Sequence, residues 1–394
     1  MSFRFDIPPN AQHLTDLRQE VRGFLAEAMR DIPAEEAARS WHSFDPAFSR
    51  KVAEKGWIGM TWPKQYGGHG RTVIERYVVI EEFLAAGAPI GAHWTGDRQS
   101  GPLLLRYGTE EQKMALLPAT AAGELFFCIG MSEPDAGSDL ANIKTRARKV
   151  SDGWCVNGAK IWTSNAHRRN YMILLCRSGS SEERHGGMSQ FLVDLKSPGI
   201  SIRGIRNMAN EHHFNEVVFT DCFIPDAALV GVAGEGWKQV NAELGFERSG
   251  PERFLTSYIL LRELVRQLGP DAPERARIAV GRLLAHLVTL RSMSFSLAAA
   301  LGAGRDIASE ASVVKSMGSE FEQSIPEIAR DLVDLQALVP DDEMDRISPA
   351  AANDTAQTYA SVLHHVMLHA PSFSIYGGTR EILRGIIAKT LGLR

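Results

Sequence analysis

Three stretches of the chain hold residue types that could do chemistry. The first is Gly130-Met131-Ser132-Glu133-Pro134-Asp135-Ala136-Gly137-Ser138-Asp139, directly after a strand-like apolar run. Its hydroxyls, glycines and backbone N–H groups could cradle an acceptor-rich ligand edge or a phosphate. On composition alone a plain polar turn is the simpler reading. The second is Asn157-Gly158-Ala159-Lys160-Ile161-Trp162-Thr163-Ser164-Asn165-Ala166. A Trp beside two hydroxyls at a strand end could offer a flat face to an aromatic cofactor; a core Trp is the simpler reading. The third is Ile375-Tyr376-Gly377-Gly378-Thr379-Arg380-Glu381-Ile382. Two glycines before a helix allow close backbone approach, and the helix start can face an anion. The plain alternative is a turn with Thr379 as N-cap.

Other chemistries are excluded by what is missing. There is no G-x-x-x-x-G-K-[ST], no G-x-G-x-x-G opening a helix, and no H-E-x-x-H. His212-His213 and His364-His365 are adjacent pairs, which do not share a helix face, so no metal is expected. The 394 residues carry 43 Lys+Arg against 47 Asp+Glu, a net charge of −4, without the basic footprint of a nucleic-acid binder. No unbroken apolar run approaches the ~20 residues of a membrane span. Met1–Asn10 shows no leader pattern. The four cysteines contain no C-x-x-C and sit among apolar residues, as core fillers in a reducing compartment; the cytoplasm is expected.

Three regions must position the active stretches. Residues 1–123 read as helices: Leu14, Leu17, Val21, Phe24 and Leu25 make one apolar stripe, and Thr109 with Gln112 reads as a capping box. Residues 124–232 change to short segments rich in Val, Ile, Phe and Trp. Asp152-Gly153 and Asn157-Gly158 both read as hairpin turns, which predicts an antiparallel barrel or sandwich. Residues 233–394 are helical again, with one stripe from Val280 to Leu301, another from Phe321 to Leu335, and a polar break at Pro340–Pro349. The fold class is α+β: an N-terminal helical domain, a middle β domain and a C-terminal helical bundle.

Taken in order, E-P-x-A-G-S-D at Glu133–Asp139, N-G-x-K-x-W-x-[ST]-N at Asn157–Asn165 and Y-x-G-T-x-E-I at Tyr376–Ile382 resemble the acyl-CoA dehydrogenase family of flavoproteins. Tyr107-Gly108-Thr109-Glu110-Glu111-Gln112-Lys113 is similar to the family's G-T-x-E-Q-K, and the resemblance covers nearly the whole chain. It implies FAD held between the middle β domain and the C-terminal bundle. Met131 and Ser132 would meet the flavin's pyrimidine edge. Gly137 and Ser138 would lie near the pyrophosphate and the acyl-CoA. Trp162 would pack on the flavin ring with Ser164 near N5, and Thr379 and Glu381 would sit near the diphosphate. Ser138, Arg248, Tyr376 and Gly377 would line the acyl-CoA site.

The implied reaction is α,β-desaturation of an acyl thioester: a carboxylate takes the α-proton and the β-hydrogen leaves as hydride. Most of the family carries that base in Y-E-G-T, where this chain has Gly377. A minority places it on an earlier helix, which here corresponds to Glu247, followed by Arg248; Glu243 is the fallback. A glycine at 377 would leave room for branched or bulky acyl groups. The R-x-x-F-G and G-G-x-G motifs of many relatives have no clear match, and Glu310-Ala311-Ser312-x-x-Lys315-x-x-x-Ser319-Glu320 resembles a bacterial branch that includes enzymes of sterol and other bulky acyl degradation. The resemblance further implies an electron-transfer flavoprotein as electron acceptor and a homo- or hetero-oligomer. Two alternatives remain: a same-fold acyl-CoA oxidase or flavin monooxygenase, and a partner subunit of a heteromeric dehydrogenase.

Overall fold

The computed structural model describes residues 3–8, 11–179, 185–333 and 354–393, without the side chains of 244–247 and 354–355. The predicted break at Pro340–Pro349 lies outside the described residues. Helices precede and follow a single eight-stranded sheet, giving the helical, β, helical order expected. The chain packs as two compact units. One holds Met1–Ser43, Thr72–Ile90 and Arg248–Arg394; the other holds Phe44–Arg71 and Gly91–Glu247.

The second unit contains the sheet. Its strands are β1 (Phe127–Gly130), β2 (Arg146–Val150), β3 (Gly153–Lys160), β4 (Tyr171–Arg177), β5 (Met188–Asp194), β6 (Ile200–Arg206), β7 (His212–Pro225) and β8 (Leu229–Val230). They are ordered β6-β7-β3-β2-β4-β5-β8, with β1 paired to β4. Alternate residues turn inward, so Met172, Leu174 and Cys176 of β4 meet Phe191 and Val193 of β5 and Val217 and Phe219 of β7. Most pairings are antiparallel, but β1·β4 and β2·β4 are parallel. A parallel pair needs a long connection, and the chain between β1 and β4 supplies one.

β2 and β3 form the expected hairpin, but its two loop residues are Ser151 and Asp152, and Gly153 is the first residue of β3, paired with Val150. Asn157-Gly158 does not turn the chain. β3 runs straight through it, and the pairing with β7 slips between Val156 and Gly158, a bulge. Gly158 has φ +144°, and a Cβ there would stand 2.6 Å from Thr145, so the glycine answers a close approach of two strands. In the sheet unit, Thr109 and Gln112 form the predicted capping box of the helix Glu110–Ala121. A further helix, Gly236–Glu247, closes the sheet unit's sequence.

The first unit is helical. Its main helices are α1 (Gln12–Ala28), α2 (Val73–Ala86), α3 (Tyr258–Leu268), α4 (Glu274–Gly302), α5 (Ala308–Leu332), α6 (Asp354–His369) and α7 (Arg380–Thr390). α1 buries Leu14, Leu17, Val21 and Leu25, the predicted stripe, with Phe24 half-buried. Buried Glu81 and Glu82 on α2 accept from Arg291 of α4 and from Arg18 and Arg22 of α1, which ties three helices by charge. By length and composition α4 could cross a membrane, yet it buries Leu283, Leu290 and Leu297 within this unit.

Candidate functional site

In the sheet unit the site is a turn clamped to a strand end. After β1 the chain turns at Met131–Ser138. Lys160, with no exposed surface, donates to Glu133 Oε1 at 2.8 Å and to the Met131 carbonyl at 2.9 Å. Glu133 also accepts from the backbone N–H groups of Lys144 at 2.6 Å and Thr145 at 2.9 Å. Burial pushes the Glu133 carboxyl up, but Lys160 and these donors outweigh it and hold it below its ordinary value. Ile161 N–H donates to the Ser132 carbonyl at 2.9 Å, so Ser132 is pinned to the end of β3.

Trp162 follows immediately. It is not a core residue: it is 55% exposed, at φ +59°, with Phe214 edge-on at 5.8 Å. Trp154 is the buried core tryptophan of β3. The backbone after Trp162 is fastened to β7. Thr163 and Asn215 exchange both backbone hydrogen bonds at 3.0 Å, and Asn215 Nδ2 donates to the Thr163 carbonyl at 2.9 Å. The buried Asn215 Oδ1 also meets His167 Nδ1 and His212 Nε2, whose rings stack at 3.8 Å. Burial, then His212 and Arg168, push His167 below its ordinary pKa. Thr163 Oγ1 is buried with no hydrogen-bond partner among the described residues. Ser132 and Ser164 are half-buried, and Gly137 and Ser138 are exposed. The structure therefore brings Met131, Ser132, Trp162 and Ser164 onto one clamped turn and strand end.

The helical unit holds the other motif. Gly377 and Gly378 form a turn with φ +70° and +100°. Arg248 Nε donates to the Gly377 carbonyl at 3.2 Å, and its guanidinium would stand 3.2 Å from a Cβ at 378. The buried Arg253 guanidinium would stand 3.2–3.4 Å from a Cβ at 377. Neither the Gly377 nor the Gly378 N–H has an acceptor among the described residues. The Tyr376 hydroxyl is buried. Two cations attend its ring: Arg253 at 5.4 Å and Lys315 at 5.1 Å. Lys315 Nζ donates to the Phe373 carbonyl at 2.6 Å and to Ser319 Oγ at 2.7 Å. Buried Glu322 accepts from Thr256 N–H at 2.6 Å, and burial pushes its carboxyl up to about 7. Thr379 caps α7, and Glu381 lies exposed in that helix's first turn. A hydrogen bond from its own backbone N–H, then one from Thr379, hold the Glu381 carboxyl below its ordinary value.

Glu247 is the last residue of its helix, and its side chain lies outside the described residues. Glu243, one turn earlier, is buried and accepts from Gln190 Nε2 at 3.1 Å. All four thiols are free. Burial pushes those of Cys128 and Cys176 up to about 12, far from the thiolate chemistry of a reactive cysteine.

Residues 11–124, 128–222 and 234–392 match, in turn, the N-terminal, middle and C-terminal domains of acyl-CoA dehydrogenase. The acyl-CoA dehydrogenase IpdE1 of Mycobacterium tuberculosis is 32% identical over 400 residues, covering 97% of this chain and 98% of that protein. The chain belongs to the acyl-CoA dehydrogenase family. It is accordingly an oxidoreductase. Among solved structures, a steroid ACAD (Tcur3481-Tcur3483) superposes with a TM-score of 0.85 at 26% identity, over 98% of this chain and 99% of that one. The ChsE4-ChsE5 complex of Mycobacterium tuberculosis gives 0.83 at 28% identity, with 98% and 99% covered.

The dehydrogenase's sequence motifs contain Glu133, Lys160 and Lys315 without giving them a role, and Asn215 and Arg253 lie outside every motif. One signal was present for Lys160: it shares the strand parity of the inward-facing Trp154 and Val156, where a lysine must find a buried partner. Nothing local in the sequence marks the partners of Glu133 and Lys315, or Asn215 and Arg253 at all.

Proposed function

We propose that this dehydrogenase desaturates the α,β bond of branched or bulky acyl-CoA thioesters, with Glu247 as the base. One observation carries the reading. Position 377, which bears the base in most relatives, is here a glycine backed by the Arg253 guanidinium, and Arg248, joined to Glu247 by one peptide bond, reaches the Gly377 carbonyl. A base on the residue next to Arg248 fits that arrangement.

The chain's own groups divide the work. Glu247 takes the α-proton; the C–H electron pair moves toward the thioester carbonyl, whose oxygen gains charge. The free N–H of Gly377 can donate to that oxygen, and a preorganised donor of this kind acts where charge develops. A glycine at 377 puts no side chain beside the acyl group, which suits branched or ring-bearing substrates such as the steroid named for a solved relative.

FAD, when bound, supplies the acceptor for the β-hydride. The residues fit such a group: Trp162 offers an exposed indole on a clamped backbone, beside the partnerless hydroxyl of Thr163. Met131, Ser132, Gly137, Ser138, Trp162 and Ser164 would hold it from the sheet unit, and Thr379 and Glu381 are its candidates in the helical unit. An electron-transfer flavoprotein as acceptor, a cytoplasmic site and an oligomer, homomeric or heteromeric, complete the reading. Relatives assembled as a two-protein complex make the heteromer a concrete alternative.

The test is anaerobic bleaching of the purified yellow protein by a panel of straight, branched and ring-bearing acyl-CoAs. Glu247→Gln should lower the bleaching rate about 10²–10⁴-fold while FAD stays bound. Undiminished bleaching in that variant would remove Glu247 from the role. Rapid oxygen consumption by the reduced protein would favour an oxidase.

A further inference from the structure

We propose that Arg253 is a positioning residue for the thioester end of the site: its buried charge behind the Gly377 turn favours the enolate-like form of a bound acyl thioester. The inference rests on the desaturation reading above.

Three observations carry it. First, Arg253 is 1% exposed, and its guanidinium would stand 3.2–3.4 Å from a Cβ at 377, so it fills the ground behind that glycine. An arginine keeps its proton in a protein, so this is a fixed positive charge, and burial weakens its screening by water. Second, the turn in front of it is held by its carbonyls. Arg248 takes the Gly377 carbonyl, while Lys315 and Ser319 take that of Phe373. Third, the Gly377 and Gly378 N–H groups have no acceptor among the described residues.

A turn with free N–H groups, positive φ at two successive residues and a cation behind it is suited to an anion. Carboxylates also pack near Arg253. Glu252 comes within 3.9 Å of its Nε, and Glu322 faces the same cluster with its carboxyl raised by burial. They temper the field without displacing the guanidinium from Gly377. The position that holds a carboxylate in most of the family is therefore backed here by the opposite charge. That charge would oppose a base at 377 and assist the oxyanion formed when Glu247 removes the α-proton.

The test uses holoenzyme and a 3-thiaacyl-CoA, a substrate analogue with an acidic α-CH that cannot pass on a hydride. Its ionised form is read by long-wavelength absorbance with the bound flavin, titrated against pH. In Arg253→Met the equilibrium constant for ionisation should fall about tenfold, a rise of about one pKa unit in the bound analogue. FAD should be retained, and Arg253→Lys should recover most of the loss. Arg253→Gln serves as a second neutral variant. Unchanged ionisation in a neutral variant would overturn the proposal, as would a lysine variant as poor as the methionine one. Failure of both neutral variants to give holoenzyme would make Arg253 a folding residue and equally sink the assignment. If the wild-type holoenzyme ionises no analogue, the desaturation reading fails instead.

Discussion

Lys160 Nζ lies 2.8 Å from Glu133 Oε1, in a pocket that leaves both side chains almost no exposed surface. The pair joins the end of β3 to the turn after β1. Its cost of burial is met by a full set of partners: two backbone N–H donors on the carboxylate and the Met131 carbonyl on the ammonium. This ion pair, rather than the loop sequence alone, sets where Met131 and Ser132 sit.

Lys160→Met should therefore strand a buried carboxylate and cost roughly 3–5 kcal/mol of stability. Thermal unfolding should show the loss, and absorbance should show weakened FAD retention. The double variant Lys160→Met/Glu133→Gln should be less destabilised than the sum of its singles. Strict additivity would mean the two side chains do not act as a pair.

Asn215→Ala should free the backbone after Trp162. The side chain makes three contacts, to the Thr163 carbonyl and to His167 and His212, and no other described side chain meets the Thr163 carbonyl. The backbone N–H of residue 215 still donates to that carbonyl, so we expect FAD to dissociate more readily with a loss of stability on the order of 0.5–1.5 kcal/mol for the missing side-chain hydrogen bond. Equilibrium dialysis of FAD against the wild type would check it.

Gly377→Glu should not restore activity to Glu247→Gln. The new side chain would have to adopt φ +70° and would meet the Arg253 guanidinium. The cation would hold the added carboxylate ionised but bound to itself, a poor proton acceptor. Bleaching by acyl-CoA at the wild-type rate in the double variant would contradict this account of position 377.

Glu322 makes stability depend on pH. Its carboxyl is pushed by burial up to about 7, above its ordinary value of 4.5. The folded state thus binds the proton more tightly than the unfolded one. Its contribution is most favourable below about pH 4.5 and is lost as pH rises toward about 7, after which it is flat. Glu322→Gln removes this term. Denaturant titrations of variant and wild type between pH 4.5 and 7 should show a stability difference that moves steadily in the variant's favour. A constant difference would place the proton elsewhere.

The residues proposed to meet a ligand were legible in the chain because their chemistry is local. Ser132, Trp162 and Thr379 stand in short motifs, and capping at Thr109 and the stripe of α1 follow from spacing alone. Glycine at 377 was enough to say that a base must come from elsewhere. What the chain did not disclose is what stands behind those motifs. Asn157-Gly158 has the composition of a turn, and only the pairing of β3 with β7 makes it a bulge. Lys160 and Glu133 are 27 positions apart, and Arg253 and Gly377 are 124 apart. No periodicity links such pairs. Burial turns an ordinary surface charge into a fixed one that must find a partner, and only the tertiary structure decides which charges are buried.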